Sequence, residues 1–194
     1  MSMKANFTNE GGYEYRYRYL KNIMGLWIIQ NCRRNWDKKY SFAELENMAR
    51  SSKYGSEICI DINKSRFLAP QNMVDEIVDE CKEVHGVTLS APGGIMQCVY
   101  ESLAKSYEES IQQLSSLTGK TYTAINIVGG GSKDGYLNQL TADASGIPVL
   151  AGPTEGTALG NLIVQFIAGK EFFSLAAARS AIAKSFEVKE YFSK

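Results

Sequence analysis

Three consecutive glycines, Gly129-Gly130-Gly131, separate an apolar β-branched run from a helix-patterned stretch, and they constrain this chain more than any other feature. Ala124, Ile125, Ile127 and Val128 predict a short strand ending at the glycines, and Ser132 to Ala144 carries helical spacing. The layout then repeats. Pro148-Val149-Leu150 predicts a second short strand, Gly152-Pro153 breaks it, and a helix is expected from Glu155 to Ala168.

Strand, glycines, helix brings backbone N–H groups to a helix N-terminus, where an anionic or polar ligand can approach without side chains in the way. Each glycine costs chain entropy that a plain tight connection does not require. Taken alone, the loop is therefore either a ligand loop or a tight strand-to-helix connection. Its spacing excludes two common nucleotide motifs. A P-loop places Lys and then Ser or Thr directly after its last glycine, and neither glycine loop here does so. The Rossmann fingerprint requires a third glycine where Asp134 stands.

The length of 194 residues is enough for a sizeable core, and one domain spanning 1–194 is expected. Its 21 basic and 21 acidic residues cancel without a run of either sign, which predicts no nucleic-acid partner and no anionic membrane surface. No apolar stretch reaches the roughly 18 residues of a membrane span, and the start MSMKANFTNE lacks a signal peptide's apolar core. A soluble, cytoplasmic protein is expected. Cys32, Cys59, Cys81 and Cys98 are scattered without C-x-x-C pairing, which suits reduced core thiols better than zinc or disulfides. His85, the only histidine, precedes Gly86 at an expected helix end and suits the last carbonyls there better than catalysis.

Along the chain, Phe7-Thr8 predicts an extended piece, Asn9 to Gly12 a turn, and Tyr15 to Trp36 a long helix. On such a helix Asn22 and Gln30 are about two turns apart and near one face, which points either into a cleft or to solvent. Ser41 to Glu44 has capping-box chemistry and starts a short helix. Ile58, Ile60 and Ile62 alternate as in an extended strand. A helix follows from Asn72 to His85, with Asp75, Glu76, Asp79 and Glu80 predicted on a solvated face. Pro92-Gly93-Gly94 opens a helix to Leu117 that stops at Gly119. Ser174 caps a last helix, and the charged tail from Glu187 to Lys194 is expected to fray. The strands are few for an independent sheet, which suggests a part of a larger α/β protein or a domain that borrows strands.

The segments Asn9 to Gly12, Leu20 to Trp27, Arg66 to Pro70 with Asn72-Met73, IVGGGSKDGYLNQLTAD and AGPTEGTALGN together resemble the C-terminal half of the FGGY carbohydrate kinases, in particular members that phosphorylate L-rhamnulose. The resemblance covers nearly the whole chain in order. It implies an α/β fold of the ribonuclease-H-like, actin-like ATPase type, incomplete at its N-terminus, and ATP with Mg2+ as cofactors. It implies that Asn22 and Gln30 match nucleotide-contacting positions and that Gly130, with Gly129 and Gly131 beside it, matches the glycine of the adenosine-phosphate loop. Lys133-Asp134 stands where the family usually has Gln-Asn; an asparagine amide both donates and accepts, whereas the Asp134 carboxylate only accepts. Asp134 is retained as a nucleotide-side candidate.

The resemblance further implies that the catalytic base is an aspartate of an N-terminal domain, which also holds the L-rhamnulose pocket; no residue of this chain matches it, and the chain by itself is expected to be inactive. That domain is the expected partner. The alternatives are the same half of a xylulose, fuculose or glycerol kinase, and a non-catalytic interaction module of actin-like shape.

Overall fold

The computed structural model describes residues 6–194; positions 1–5 of the polar start, read above for a leader, lie outside them. The chain divides into two compact units, one of Met1–Lys21 with Leu114–Lys194 and one of Asn22–Gln113.

The first unit opens with a hairpin, β1 (Phe7–Gly11) antiparallel to β2 (Tyr17–Lys21), in register Phe7 to Lys21 and Gly11 to Tyr17. This overturns the expected helix from Tyr15 to Trp36. Tyr17 and Tyr19 alternate with Arg16 and Arg18, a period of two that belongs to a strand, while Tyr13 and Tyr15 lie in the turn before it. Tyr19 stacks on Phe7 with ring centroids 4.7 Å apart, and Arg18 pairs with Glu10 across the ladder. The turn sits at Gly12 to Arg16, later than predicted, with the Gly12 N–H donating to the Arg16 carbonyl at 2.7 Å.

The second unit is helical. Its first helix, α1 (Trp27–Asn35), begins only after the connection that holds Asn22, so Asn22 and Gln30 do not share a helix. The capping box is present as predicted at α2 (Phe42–Arg50): the Glu44 N–H donates to Ser41 Oγ, and the Ser41 N–H donates back to Glu44 Oε2 at 2.7 Å. Ile60 and Ile62 are buried as their alternation suggests, yet they join no sheet; the Ile60 N–H donates instead to Ser102 Oγ at 2.9 Å. Asn72 caps α3 (Met73–His85), and α4 (Pro92–Thr118) ends at Gly119. The core of the unit is built from Ile28, Leu45, Phe67, Ile77, Met96 and Leu103, all fully buried.

Glu80 departs from its predicted solvated face. It is 1% exposed and pairs with Lys64 and with Arg66 Nη1, the latter at 2.8 Å. Arg66 also bonds Glu76 at 2.8 Å, so the helical turn Ser65–Phe67 covers Glu76 and Glu80, while Asp75 and Asp79 are exposed as predicted.

The first unit resumes with a three-stranded sheet of order β3-β4-β5, formed by β3 (Ile125–Ile127), β4 (Val149–Ala151) and β5 (Lys189–Tyr191). The crossover from β3 to β4 is α5 (Gly135–Ser145), and the two strands run parallel. From β4 the chain passes through α6 (Gly156–Ala168) and α7 (Leu175–Ser185), which Ser174 caps by accepting from the Ala177 N–H. The tail does not fray. It returns as β5 antiparallel to β4, because backbone bonding holds it where its charged side chains offer little burial.

Candidate functional site

Both parallel strands end in glycine-bearing loops at their carboxyl ends, where ligands of open α/β sheets bind. The first loop, Gly129–Lys133, is a single tight turn between β3 and α5. Gly129 has φ +77°, a left-handed conformation that favours glycine, and its N–H donates to the Pro153 carbonyl of the second loop at 3.2 Å. Gly130 differs: a Cβ placed there meets nothing within 4 Å, and its φ is not positive. Neither conformation nor crowding within the protein requires glycine at 130, and the space where a side chain would stand there is open.

The turn is fixed from below. Ser132 Oγ donates to the Gly129 carbonyl at 2.7 Å, and the buried Asn138 amide donates to the Ser132 carbonyl at 3.2 Å. Asp134 Oδ1 accepts from the Leu137 N–H at 3.0 Å, so this carboxylate caps α5. The second loop is held by the Gly152 N–H, which donates to the Ile127 carbonyl at 2.8 Å.

The two loops border a cavity of 370 Å³ lined by Ser132 and Lys133 from the first, Thr154 and Glu155 from the second, and Phe186, Glu187, Lys189 and Tyr191 from the tail. The loops are legible in the sequence, whereas these lining side chains are not. The signal for the tail was there in Phe186 and Val188 at alternate positions, outweighed by the surrounding charge. Asn22 and Gln30 belong to the second unit, and both are exposed.

Other reactive side chains serve packing. Cys32, Cys81 and Cys98 are buried free thiols; burial pushes Cys32 up to about 12 and Cys98 up as well, which removes them as nucleophiles at neutral pH. His85 Nε2 lies 2.6 Å from the Cys59 carbonyl, joining the end of α3 to the extended stretch before it. Among the described residues no group of three or more His, Cys, Asp or Glu is placed to hold a metal ion, and no helix is long and apolar enough to cross a membrane.

The fold is shared with solved sugar kinases. The ligand-bound xylulose kinase from Lactobacillus acidophilus matches 100% of this chain and 39% of its own, with a TM-score of 0.66 at 17% sequence identity. The xylulose kinase from Rhodospirillum rubrum matches 89% of this chain and 34% of its own, with a TM-score of 0.60 at 17% identity. The architecture is thus the α/β fold of the actin-like ATPases. The family model for the C-terminal domain of the FGGY family of carbohydrate kinases matches residues 2–169, and the chain belongs to that family. Two curated relatives are rhamnulokinases. The one from Halalkalibacterium halodurans is 46% identical over 192 residues, covering 99% of this chain and 41% of the relative. The one from Oceanobacillus iheyensis is 44% identical over 190 residues, covering 98% and 40%. The chain therefore spans about two fifths of the length of these relatives.

Proposed function

We propose that this chain is the nucleotide-binding part of a cytoplasmic, ATP-dependent rhamnulokinase that phosphorylates L-rhamnulose to L-rhamnulose 1-phosphate. The observation that carries the reading is the open space where a side chain would stand at Gly130, in a turn whose neighbours are locked by hydrogen bonds and which adjoins a 370 Å³ cavity. A rigid turn with unobstructed backbone suits a phosphate-bearing ligand, because the N–H groups are positioned before the ligand arrives. Identity of 46% and 44% to rhamnulokinases supports the choice of sugar.

Phosphoryl transfer depends on positioning and charge stabilisation more than on covalent steps, and this chain's residues divide that work. Gly130 and Gly131 receive the nucleotide along their backbone, and Gly129, whose N–H is held by the Pro153 carbonyl, shapes the turn beside them. Asp134 fixes the start of α5 behind them; Asn22 and Gln30 remain nucleotide-contacting candidates by the family resemblance alone. Bound ATP supplies the γ-phosphoryl group, with Mg2+ neutralising its phosphate oxygens. The proposal assigns the carboxylate base and the sugar pocket to an N-terminal kinase domain, and the 194-residue chain alone is inactive.

A chimera tests this: the chain replaces the matching segment of the Halalkalibacterium halodurans rhamnulokinase, and ATP-dependent phosphorylation of L-rhamnulose is assayed. Activity is expected. A folded chimera without kinase activity contradicts the proposal.

A further inference from the structure

The family match ends at residue 169, yet Phe186, Glu187, Lys189 and Tyr191 make up much of the cavity beside the glycine turn. Its 370 Å³ lies within the roughly 300–1,000 Å³ of small-molecule sites. The tail is fastened there in three ways. The ladder pairs Lys189 with Ala151 and Tyr191 with Val149. Gln139 Nε2 donates to the Phe192 carbonyl at 2.8 Å, and the Lys194 N–H donates to Asp143 Oδ1 at 3.0 Å. Tyr191 is packed over the start of α5, its hydroxyl 3.2 Å from where a Cβ on Gly135 would stand.

The chemistry of this wall is mixed in a particular way. Phe186 keeps 43% of its surface exposed while lining the cavity, next to hydroxyls from Ser132 and Thr154 and carboxylates from Glu155 and Glu187. An exposed aromatic face suits a flat heteroaromatic base, and the hydroxyl and carboxylate groups suit a ribose. Lys133 and Lys189 suit phosphates attached to it. We propose that the segment 186–191 is a wall of the nucleotide site, with Phe186 stacking on the base; this rests on the nucleotide-binding function proposed above.

Titration of the purified chain with adenosine, ADP and inorganic pyrophosphate by calorimetry tests the assignment. Phe186→Ala is expected to weaken adenosine and ADP by at least about fivefold, as loss of one base stack does, and to leave pyrophosphate unchanged. Phe186→Tyr should restore binding, while Phe186→Leu, which keeps an apolar side chain without a ring, should not. If the Phe186 variants bind adenosine and ADP as the parent chain does while Gly130→Val loses ADP, the tail assignment falls and the nucleotide function stands. If the parent chain binds neither adenosine nor ADP, both fall.

Discussion

The buried side-chain amide of Asn138 donates to the carbonyl of Ser132 at 3.2 Å, tying the glycine turn to the first turn of α5. Asn138→Ala leaves that carbonyl without its side-chain donor, at an expected cost of about 1–3 kcal/mol in urea unfolding. The same variant should weaken ADP, because the turn loses its anchor. Unchanged stability and unchanged ADP affinity would show that the turn is held by other means.

Glu80 gives the chain an acid-sensitive contact. Burial raises its pKa, but hydrogen bonds from Lys64 and Arg66 outweigh burial and hold the carboxyl below its ordinary value. The folded state thus takes up a proton less readily than the unfolded chain. The stabilisation is fully present above the ordinary glutamate value of about 4.3 and is lost as pH falls through the lower folded value. Glu80→Gln should cost about 3 kcal/mol at pH 7, since it leaves Lys64 and Arg66 without their buried partner. The gap between variant and parent should narrow below about pH 4. A gap independent of pH would contradict this, and urea midpoints at pH 7, 5 and 3.5 measure it.

Gly152 carries the close approach of the second loop to the tail. Its φ is +138°, and a Cβ there would stand 2.6 Å from the Glu187 carbonyl oxygen. Gly152→Ala is expected to cost about 2 kcal/mol or more, from strain and contact together. Faster amide exchange across residues 189–191 than in the parent chain should accompany the loss, as β5 separates from β4. Equal exchange there would mean that the loop yields instead.

Much of this architecture was legible in local chemistry. The caps at Ser41 and Ser174, the short strands before the two glycine loops and the stop at Gly119 all follow from signals within a few residues. The hairpin was hidden because the apolar run from Leu20 to Ile29 masked the period-two tyrosines before it. Glu80 and the tail were misread for a different reason. Their partners, Lys64 and Arg66 for the one and β4 for the other, lie 14 or more positions away and leave no mark on local periodicity. At the site, the glycines were visible in sequence, whereas the cavity wall was not, because it joins residues near 132, 154 and 187 that only the sheet brings together.

The central claim is that the open space where a side chain would stand at Gly130 admits a nucleotide. Its most direct measurement is a calorimetric ADP titration of the parent chain and of Gly130→Val, with thermal unfolding midpoints as the control for folding. The account predicts saturable binding by the parent chain and a loss of at least about tenfold in affinity for the variant at an unchanged midpoint. Equal ADP affinity in the two proteins, or no saturable binding by either, would contradict it.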